Sequence, residues 1–307
     1  MRLVFMGTPS FAVPSLKAAA AAHDVVAVYS RPDSVSSRGS RALPSPVKAA
    51  ALELGFDVRE PATLRDDVVL DALRALHVDA IVVVAYGLIL PIEVIEAARL
   101  GAVNVHASLL PRWRGAAPIH RAILAGDERT GVSIMRVEEG LDTGPFCVQR
   151  ETTVDDKSVH ELSEELAELG AAALVEALEA LEDGRCRWTA QDETQVTYAE
   201  KVRKSEIVLS PDLSAADALL RVRASSRQAP ARFSVGGAGV TALTAEVFSA
   251  MVGAGTAKTV PEGLALGFSE GALLITRLKP DGKGAMSASD WTRGRRLDGE
   301  QSWGGPE

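Results

Sequence analysis

The sequence predicts a doubly wound α/β sheet followed by a smaller β-rich domain, a barrel or a sandwich. Three observations carry this. Over the first two-thirds of the 307 residues, short apolar runs alternate with helical patterns. Those runs are bounded by Gly and Pro, as buried parallel strands are. Past about residue 210 the texture changes to Gly-punctuated, β-like runs.

Taken in order, strands are expected at 3–6, 25–30, 80–85 and 102–106, with helices at 10–22, 46–54, 66–76 and 91–98. Strand–helix alternation of this kind builds a parallel sheet with helices on both faces. Ligands of such sheets sit beyond the carboxyl ends of the strands. Two further strands, 132–137 and 146–153, flank the turn "EEGLDTG". A long helix follows, opened by Ser158 and Glu161 in a capping-box pattern. Its apolar stripe is Val159, Leu162, Leu166, Leu169, Ala173, Leu178 and Leu181, and Asp183-Gly184 ends it. Residues 184–210 read as a connector. A helix over 213–223, capped near Ser210 or Ser214, precedes β-like runs at 231–235, 240–248, 263–268 and 272–278. The expected domains are therefore 1–183, the connector 184–210, and 211–307.

Composition is that of an ordinary globular protein, 47% hydrophobic and 24% charged. No run reaches the ~18 apolar residues of a membrane helix, and "MRLVFMGTPS" lacks a signal-peptide core; a cytoplasmic location is expected. Cys147 and Cys186 have no CxxC spacing, so neither a disulfide framework nor a zinc site is expected. The net charge of −8 alone counts against a nucleic-acid partner. Its distribution says more: residues 1–199 carry −10 and residues 200–307 carry +2, while 28–48 carry +3 from Arg31, Arg38, Arg41 and Lys48 against Asp33. A polyanion can meet such local basic surfaces; a solvated loop explains them equally.

The first βα turn, "MGTPSF", has one glycine and is not GxGxxG, and no P-loop is present. "LDTG" at 141–144 has the aspartic-protease turn, but that chemistry needs two such carboxylates and the chain has one DTG. Of five histidines, His23, His77, His120 and His160 read as structural. His106 differs: it ends an apolar run, shares a strand face with Asn104, and precedes a Pro- and Gly-bounded loop. Asp142, in a Gly-rich turn, fits an Asx turn as well as it fits catalysis.

"NVHASLLPRWRGAAPIH" (104–120) together with "GLDTG" (140–144) resembles the 10-formyltetrahydrofolate-dependent formyltransferases. "VVVAYGLILP" (82–91) and "QDETQVTYAEK" (191–201) are similar to the branch that acts on charged initiator tRNA. The resemblance covers essentially the whole chain and is strongest over 1–205. It implies a Rossmann-like catalytic domain and a C-terminal, OB-like β-barrel that binds tRNA. It implies formyl transfer from 10-formyltetrahydrofolate, consumed as cosubstrate, to the α-amino group of methionine esterified to initiator tRNA, with no metal, no membrane and a monomeric enzyme. Carried over by position, Asn104, His106 and Asp142 are the catalytic set. Ser108, Leu109, Leu110 and Pro111 form the folate loop, with Tyr86, Gly87 and Leu88 as the wall against the pterin. Arg38 and Arg41 are the tRNA contacts carried over with the loop after the second strand. Arg112 and Arg114, either side of Trp113, are also expected to meet phosphate and a stacked base of the tRNA, a structural Trp flanked by exposed arginines being the equal alternative. Two stretches depart from the family pattern. The loop "RPDSVSSRGSRALPSP" keeps Arg38 and Arg41 but is diluted by serines, and "SSRQAP" (225–230) replaces an Asn-Pro-Trp-Pro-like segment.

Transfer of a formyl group between nitrogens passes through a tetrahedral carbon with a developing oxyanion. The attacking amine must be neutral and must lose a proton. Such a site needs a fixed donor at the oxyanion and a group that takes the proton. Asn104 donates without titrating, and imidazole has a reference pKa of ~6.5, near working pH. Whether His106 or Asp142 takes the proton stays open on the sequence alone. Competing readings are a relative acting on an amino-sugar nucleotide and a catalytically silent folate- or RNA-binding protein.

Overall fold

A computed structural model describes residues 1–33, 43–297 and 299–306. The chain forms two compact units, one of Met1–Pro118, Arg129–Thr153 and Ser163–Ala199, the other of Ile119–Glu128, Val154–Leu162 and Glu200–Glu307. Among the described residues no helix is long and apolar enough to cross a membrane.

The first unit is built on β1 (Arg2–Gly7), β2 (Asp24–Tyr29), β3 (Val58–Arg59), β4 (Ala80–Val84), β5 (Ala102–His106), β7 (Arg129–Arg136) and β8 (Phe146–Thr153). They form one sheet in the order β3-β2-β1-β4-β5-β7-β8. The first five strands are parallel, and β7 runs antiparallel to both its neighbours. Helices α1 (Val13–Ala22), α2 (Pro46–Glu53), α3 (Asp67–Arg74) and α4 (Ile92–Ile95) make the connections. The short strands β6 (Arg114–Gly115) and β9 (Tyr198–Ala199) pair in parallel outside the main sheet. The chain continues through α5 (Pro118–Leu124) and α6 (Val159–Glu182). The Rossmann-like expectation is met, with strand direction reversing only at β7.

The reason lies in the sequence texture. Leu3, Val4, Phe5 and Met6 are fully buried, as are nearly all of β4's residues. Strands covered on both faces read as unbroken apolar runs. Helix α6 opens as its sequence dictates: Ser158 N donates to Glu161 Oε2 at 2.8 Å, and Glu161 N to Ser158 Oγ at 3.3 Å. Its small residue Gly170 sits where a Cβ would lie 2.7 Å from Val105 Cγ1. Val105 therefore faces α6, and the period-2 rule turns Asn104 and His106 to the other face of β5. Helix α4 is one turn long, shorter than the 91–98 expected, because the chain leaves it through the turn that ends at Gly101 (φ +77°).

The second unit contains α7 (Lys204–Ile207), α8 (Ala215–Arg223), β10 (Arg232–Val235), β11 (Ala238–Phe248), β12 (Thr256–Val260), β13 (Gly263–Gly267), β14 (Ala272–Pro280), β15 (Met286–Ser287), α9 (Ala288–Arg295) and β16 (Glu300–Gly304). Strands pair around a ring, β11-β10-β16-β12-β13-β14 and back to β11. This is a closed six-stranded antiparallel barrel rather than a sandwich, with β15 hydrogen-bonded to β14 outside the ring. Closure removes the exposed edges an open sheet would have. Phe233 and Phe268 meet the Trp303 ring edge-on, at centroid distances of 6.1 and 4.9 Å. Trp303 Nε1 donates to Gly267 O at 3.1 Å, so the indole is buried with its polar edge satisfied. Ser214, one of the two expected caps, accepts from Asp217 N to start α8.

Candidate functional site

Strand β5 ends at the carboxyl edge of the parallel sheet, where Asn104 and His106 lie beside Met135 and Ser133 of β7. His106 is 5% exposed. Its Nε2 lies 2.9 Å from the Trp113 carbonyl oxygen. A carbonyl can only accept, so Nε2 carries the hydrogen. In the neutral ring Nδ1 is then the atom with a free lone pair. That atom faces Asp142, 3.6 Å from Oδ2, too far for a hydrogen bond but close for charges. Asn104 Nδ2 reaches Asp142 Oδ1 at 3.5 Å, a long and weak contact. The three expected catalytic side chains, 36 residues and more apart in the chain for the aspartate, thus meet at one point.

Asp142 stands in the turn between β7 and β8, with a left-handed backbone (φ +53°) that Asp tolerates better than most residues. Its carboxylate is aimed from outside the turn, since Gly115 N donates to Oδ2 at 2.9 Å. Gly115 is itself required. Its φ is +123°, and a Cβ there would lie 2.9 Å from Ala199 O, where β6 runs against β9. Gln191 holds the turn's backbone. Its Nε2 donates to the carbonyl oxygens of Asp142 and Gly144, at 2.8 and 2.7 Å. At Gly144 a Cβ would fall 2.0 Å from the Arg136 carbonyl oxygen, which is backbone and has nowhere to go. Gly144→Ala is expected to cost about 1–3 kcal/mol of stability through this overlap, read as a lowered urea midpoint with unchanged slope. An unshifted midpoint would mean the turn is freer than described.

The expected folate segment divides in two. Ser108 and Leu110 are buried, and Ser108 Oγ donates to Arg112 O at 2.5 Å. The loop is pinned to the sheet through Ser133, whose Oγ accepts from Leu110 N (3.0 Å) and Gln149 Nε2 (2.8 Å) and donates to Ser108 O (2.7 Å). Tyr86 is likewise a core residue, 1% exposed, and burial pushes its hydroxyl up to about 12, so it stays a neutral phenol. Side chains of Ser108, Leu110 and Tyr86 therefore shape the wall from behind. Leu109 and Pro111 are half-buried, as is Leu88, and Gly87 is exposed with φ +87°. The neighbouring Ile89, in the segment after β4, is 79% exposed, an apolar side chain left at the surface.

Of the expected tRNA contacts, Arg38 and Arg41 lie outside the described residues. Arg112 is exposed and its guanidinium lies 4.4 Å from the centre of the Trp113 ring. Arg114 is placed otherwise than expected. It is 2% exposed; its Nε donates to Gln191 Oε1 at 2.8 Å and its Nη2 pairs with Glu193 Oε1 at 2.7 Å. A buried guanidinium is retained only when its donors are answered, and here the segment 191–193 answers them. It is an internal tie, not a phosphate contact.

Gly115, Gln191, Ser133 and Gln149 carry the site's hydrogen bonds and were not singled out by sequence reasoning. For Gly115 and Gln191 the signal was their place in the "NVHASLLPRWRGAAPIH" and "QDETQVTYAEK" matches; Ser133 and Gln149 gave none. Among the described residues no group of three or more His, Cys, Asp or Glu could hold a metal ion.

Comparison with known proteins shows the family to which the chain belongs. The family described as Formyl transferase matches residues 1–178, and its C-terminal domain matches 201–296. The methionyl-tRNA formyltransferase of Jannaschia sp. (strain CCS1) is 46% identical, over 97% of this chain and 98% of its own. That of Novosphingobium aromaticivorans is 47% identical over the same shares. Among solved structures, the sugar 3N-formyl transferase WlaRD, determined in the presence of dTDP and 5-N-formyl-THF, superposes with a TM-score of 0.68 at 14% identity, covering 92% of this chain and 99% of that one. HypX from Aquifex aeolicus in complex with tetrahydrofolic acid gives 0.66 at 18% identity over 95% of this chain and 47% of that one. These two likenesses are of fold. With both family domains matched in order and near-half identity over almost its full length to the tRNA-directed relatives, this chain belongs to the methionyl-tRNA formyltransferase family of formyl transferases.

Proposed function

We propose that this chain transfers the formyl group of 10-formyltetrahydrofolate to the α-amino group of methionyl-initiator tRNA, with Asn104, His106 and Asp142 as its catalytic residues. The observation that carries the reading is the meeting of an amide, an imidazole nitrogen and a carboxylate at the carboxyl end of β5. The residues present fit the folate. Among the described residues Asn104 makes one long side-chain hydrogen bond, leaving an N–H to offer a developing oxyanion. Leu88, Leu109, Pro111 and the exposed Ile89 supply apolar wall, and Gly87 lets backbone approach closely. The folate, when bound, supplies the formyl carbon. Asn104 then stabilises the charge that grows on the formyl oxygen. The Nε2–H···O bond to Trp113 leaves His106 Nδ1 to accept the amine's proton, and Asp142, 3.6 Å away, balances the imidazolium that results. His106 returns that proton to the folate nitrogen as its bond to the formyl carbon breaks. This order of roles takes His106 as the proton acceptor, because its Nδ1 carries the free lone pair.

The acceptor RNA is met by phosphate contacts from the basic segment containing Arg38 and Arg41, by Arg112 over Trp113, and by the barrel. There the exposed side chains of Arg277 and Lys279 lie on the outer face of β14. The domain boundaries 1–183 and 211–307, the cytoplasmic location and the monomeric state belong to the same proposal. The direct test is formyl transfer with purified chain, using charged initiator tRNA and an amino-sugar nucleotide as rival acceptors; preference for the sugar overturns the assignment of acceptor. Because phosphate contacts release counterions, affinity for the tRNA should fall by roughly 10-fold or more between 50 and 200 mM salt, and Arg38→Ala should raise KM for tRNA more than for the folate. Flat salt dependence, or equal effects on both KM values, would leave the basic segment without a role in binding.

A further inference from the structure

We infer that Gln191, far from the strand ends in sequence and outside the catalytic set, is a positioning residue that holds Asp142 where it can act on His106. The inference rests on the proposed reaction and extends it to the connector.

The Asp142 carboxylate makes one good hydrogen bond, from Gly115 N; its contacts to Asn104 and His106 are both 3.5 Å or longer. Nothing in those long contacts can fix the carboxylate. Its position comes from the Gly115 bond and from the backbone that carries it, and that backbone is left-handed at Asp142. A single residue in that conformation is held there by its surroundings. The Gln191 amide is part of those surroundings. Both of its N–H groups are used, one on the carbonyl of Asp142 and one on that of Gly144, so that the amide spans the turn. Its oxygen is held in turn by Arg114 Nε, and Arg114 is locked by Glu193.

Arg114 also sets the other end of the clamp. Its backbone N donates to Thr197 O at 2.9 Å, and the next residue, Gly115, supplies the N–H that aims Asp142 Oδ2. The carboxylate is thus fixed twice, through its backbone by Gln191 and through its oxygen by Gly115, and both fixings meet at Arg114. A neutral amide suits this post. It offers two donors to two carbonyls and an acceptor to the guanidinium, and it adds no charge beside the aspartate. No other uncharged side chain of that length has all three.

Gln191→Met keeps length and volume and removes every hydrogen bond; Gln191→Ala removes the side chain. Both are compared with wild type in formyl transfer to charged initiator tRNA, with thermal unfolding as a check of folding and the nitrogen resonance of His106 Nδ1 as a readout independent of turnover. The expected result is a kcat lowered by roughly 10- to 100-fold, KM for folate and for tRNA moved by less than about threefold, and a displaced Nδ1 resonance in the folded variants. A kcat within about twofold of wild type in either folded variant overturns the inference, as does a loss shared equally by KM, or an Nδ1 resonance left in place. Should wild type transfer no formyl group, the proposed reaction is what fails. The resonance then decides alone, and an unmoved Nδ1 signal in the variants sinks the positioning role.

Discussion

Asp142→Asn is expected to lower the single-turnover rate of formyl transfer by about 10³-fold while the chain stays folded and still binds the folate. The substitution is chosen because it changes one thing. Asn adopts a left-handed backbone as readily as Asp, so the turn at φ +53° survives. Its side-chain oxygen can still accept from Gly115 N, which now holds the carboxylate at 2.9 Å. What disappears is the negative charge 3.6 Å from His106 Nδ1. When that nitrogen takes the proton from the attacking amine, the imidazolium forms in a site where His106 is 5% exposed and the carboxylate is its nearest counter-charge. Without it the proton transfer runs uphill. Rapid-quench measurement with enzyme in excess over charged tRNA reads the chemical step free of product release. A rate within about tenfold of wild type would assign Asp142 to the turn's architecture alone.

Much of this was legible in the sequence, and the parts that were not share a cause. Strand β5 falls at 102–106 as expected, and β8 at Phe146–Thr153, because apolar runs bounded by turns leave little choice. The Ser158–Glu161 cap is local chemistry and is found as written. The three side chains proposed as catalytic were picked out through Asn104 and His106 on one strand face and through the family pattern for Asp142, and the fold brings them together. Strands β12 and β16 were missed. In β16 (EQSWG) only Trp303 is buried, so there is no alternation to see until the barrel closes around it. Strands β6 and β9 are two residues each and exist only because distant segments meet. Arg114 was misread for the same reason. In "RWR" it looks like surface charge, and it is buried only because Gln191 and Glu193, nearly 80 residues on, answer its donors. Polar residues in a connector carry no periodicity, so a hydrogen-bonded scaffold built from them is invisible until the fold is known.

Asn104→Ala tests the other half of the site, the oxyanion. Removing one preorganised donor costs ~10²–10³ in turnover, and that loss is expected in the single-turnover rate, with the folate's dissociation constant close to that of wild type. The separation follows from geometry. Asn104 sits on β5 between Val103 and Val105, which are buried and hold the strand whatever occupies position 104. Among the described residues its amide has the 3.5 Å contact to Asp142 to lose, so little folding energy goes with it. The apolar wall and the loop pinned through Ser133 are untouched. An effect on rate without an effect on folate affinity is the mark of a group that acts only as charge develops. The double variant Asn104→Ala with Asp142→Asn sharpens the argument. If the amide serves the oxygen and the carboxylate serves the proton, each acts on a different atom of one transition state, and the second substitution should still slow the first variant. If instead Asn104 only steadies Asp142 across that long contact, the double variant should be no slower than Asp142→Asn alone.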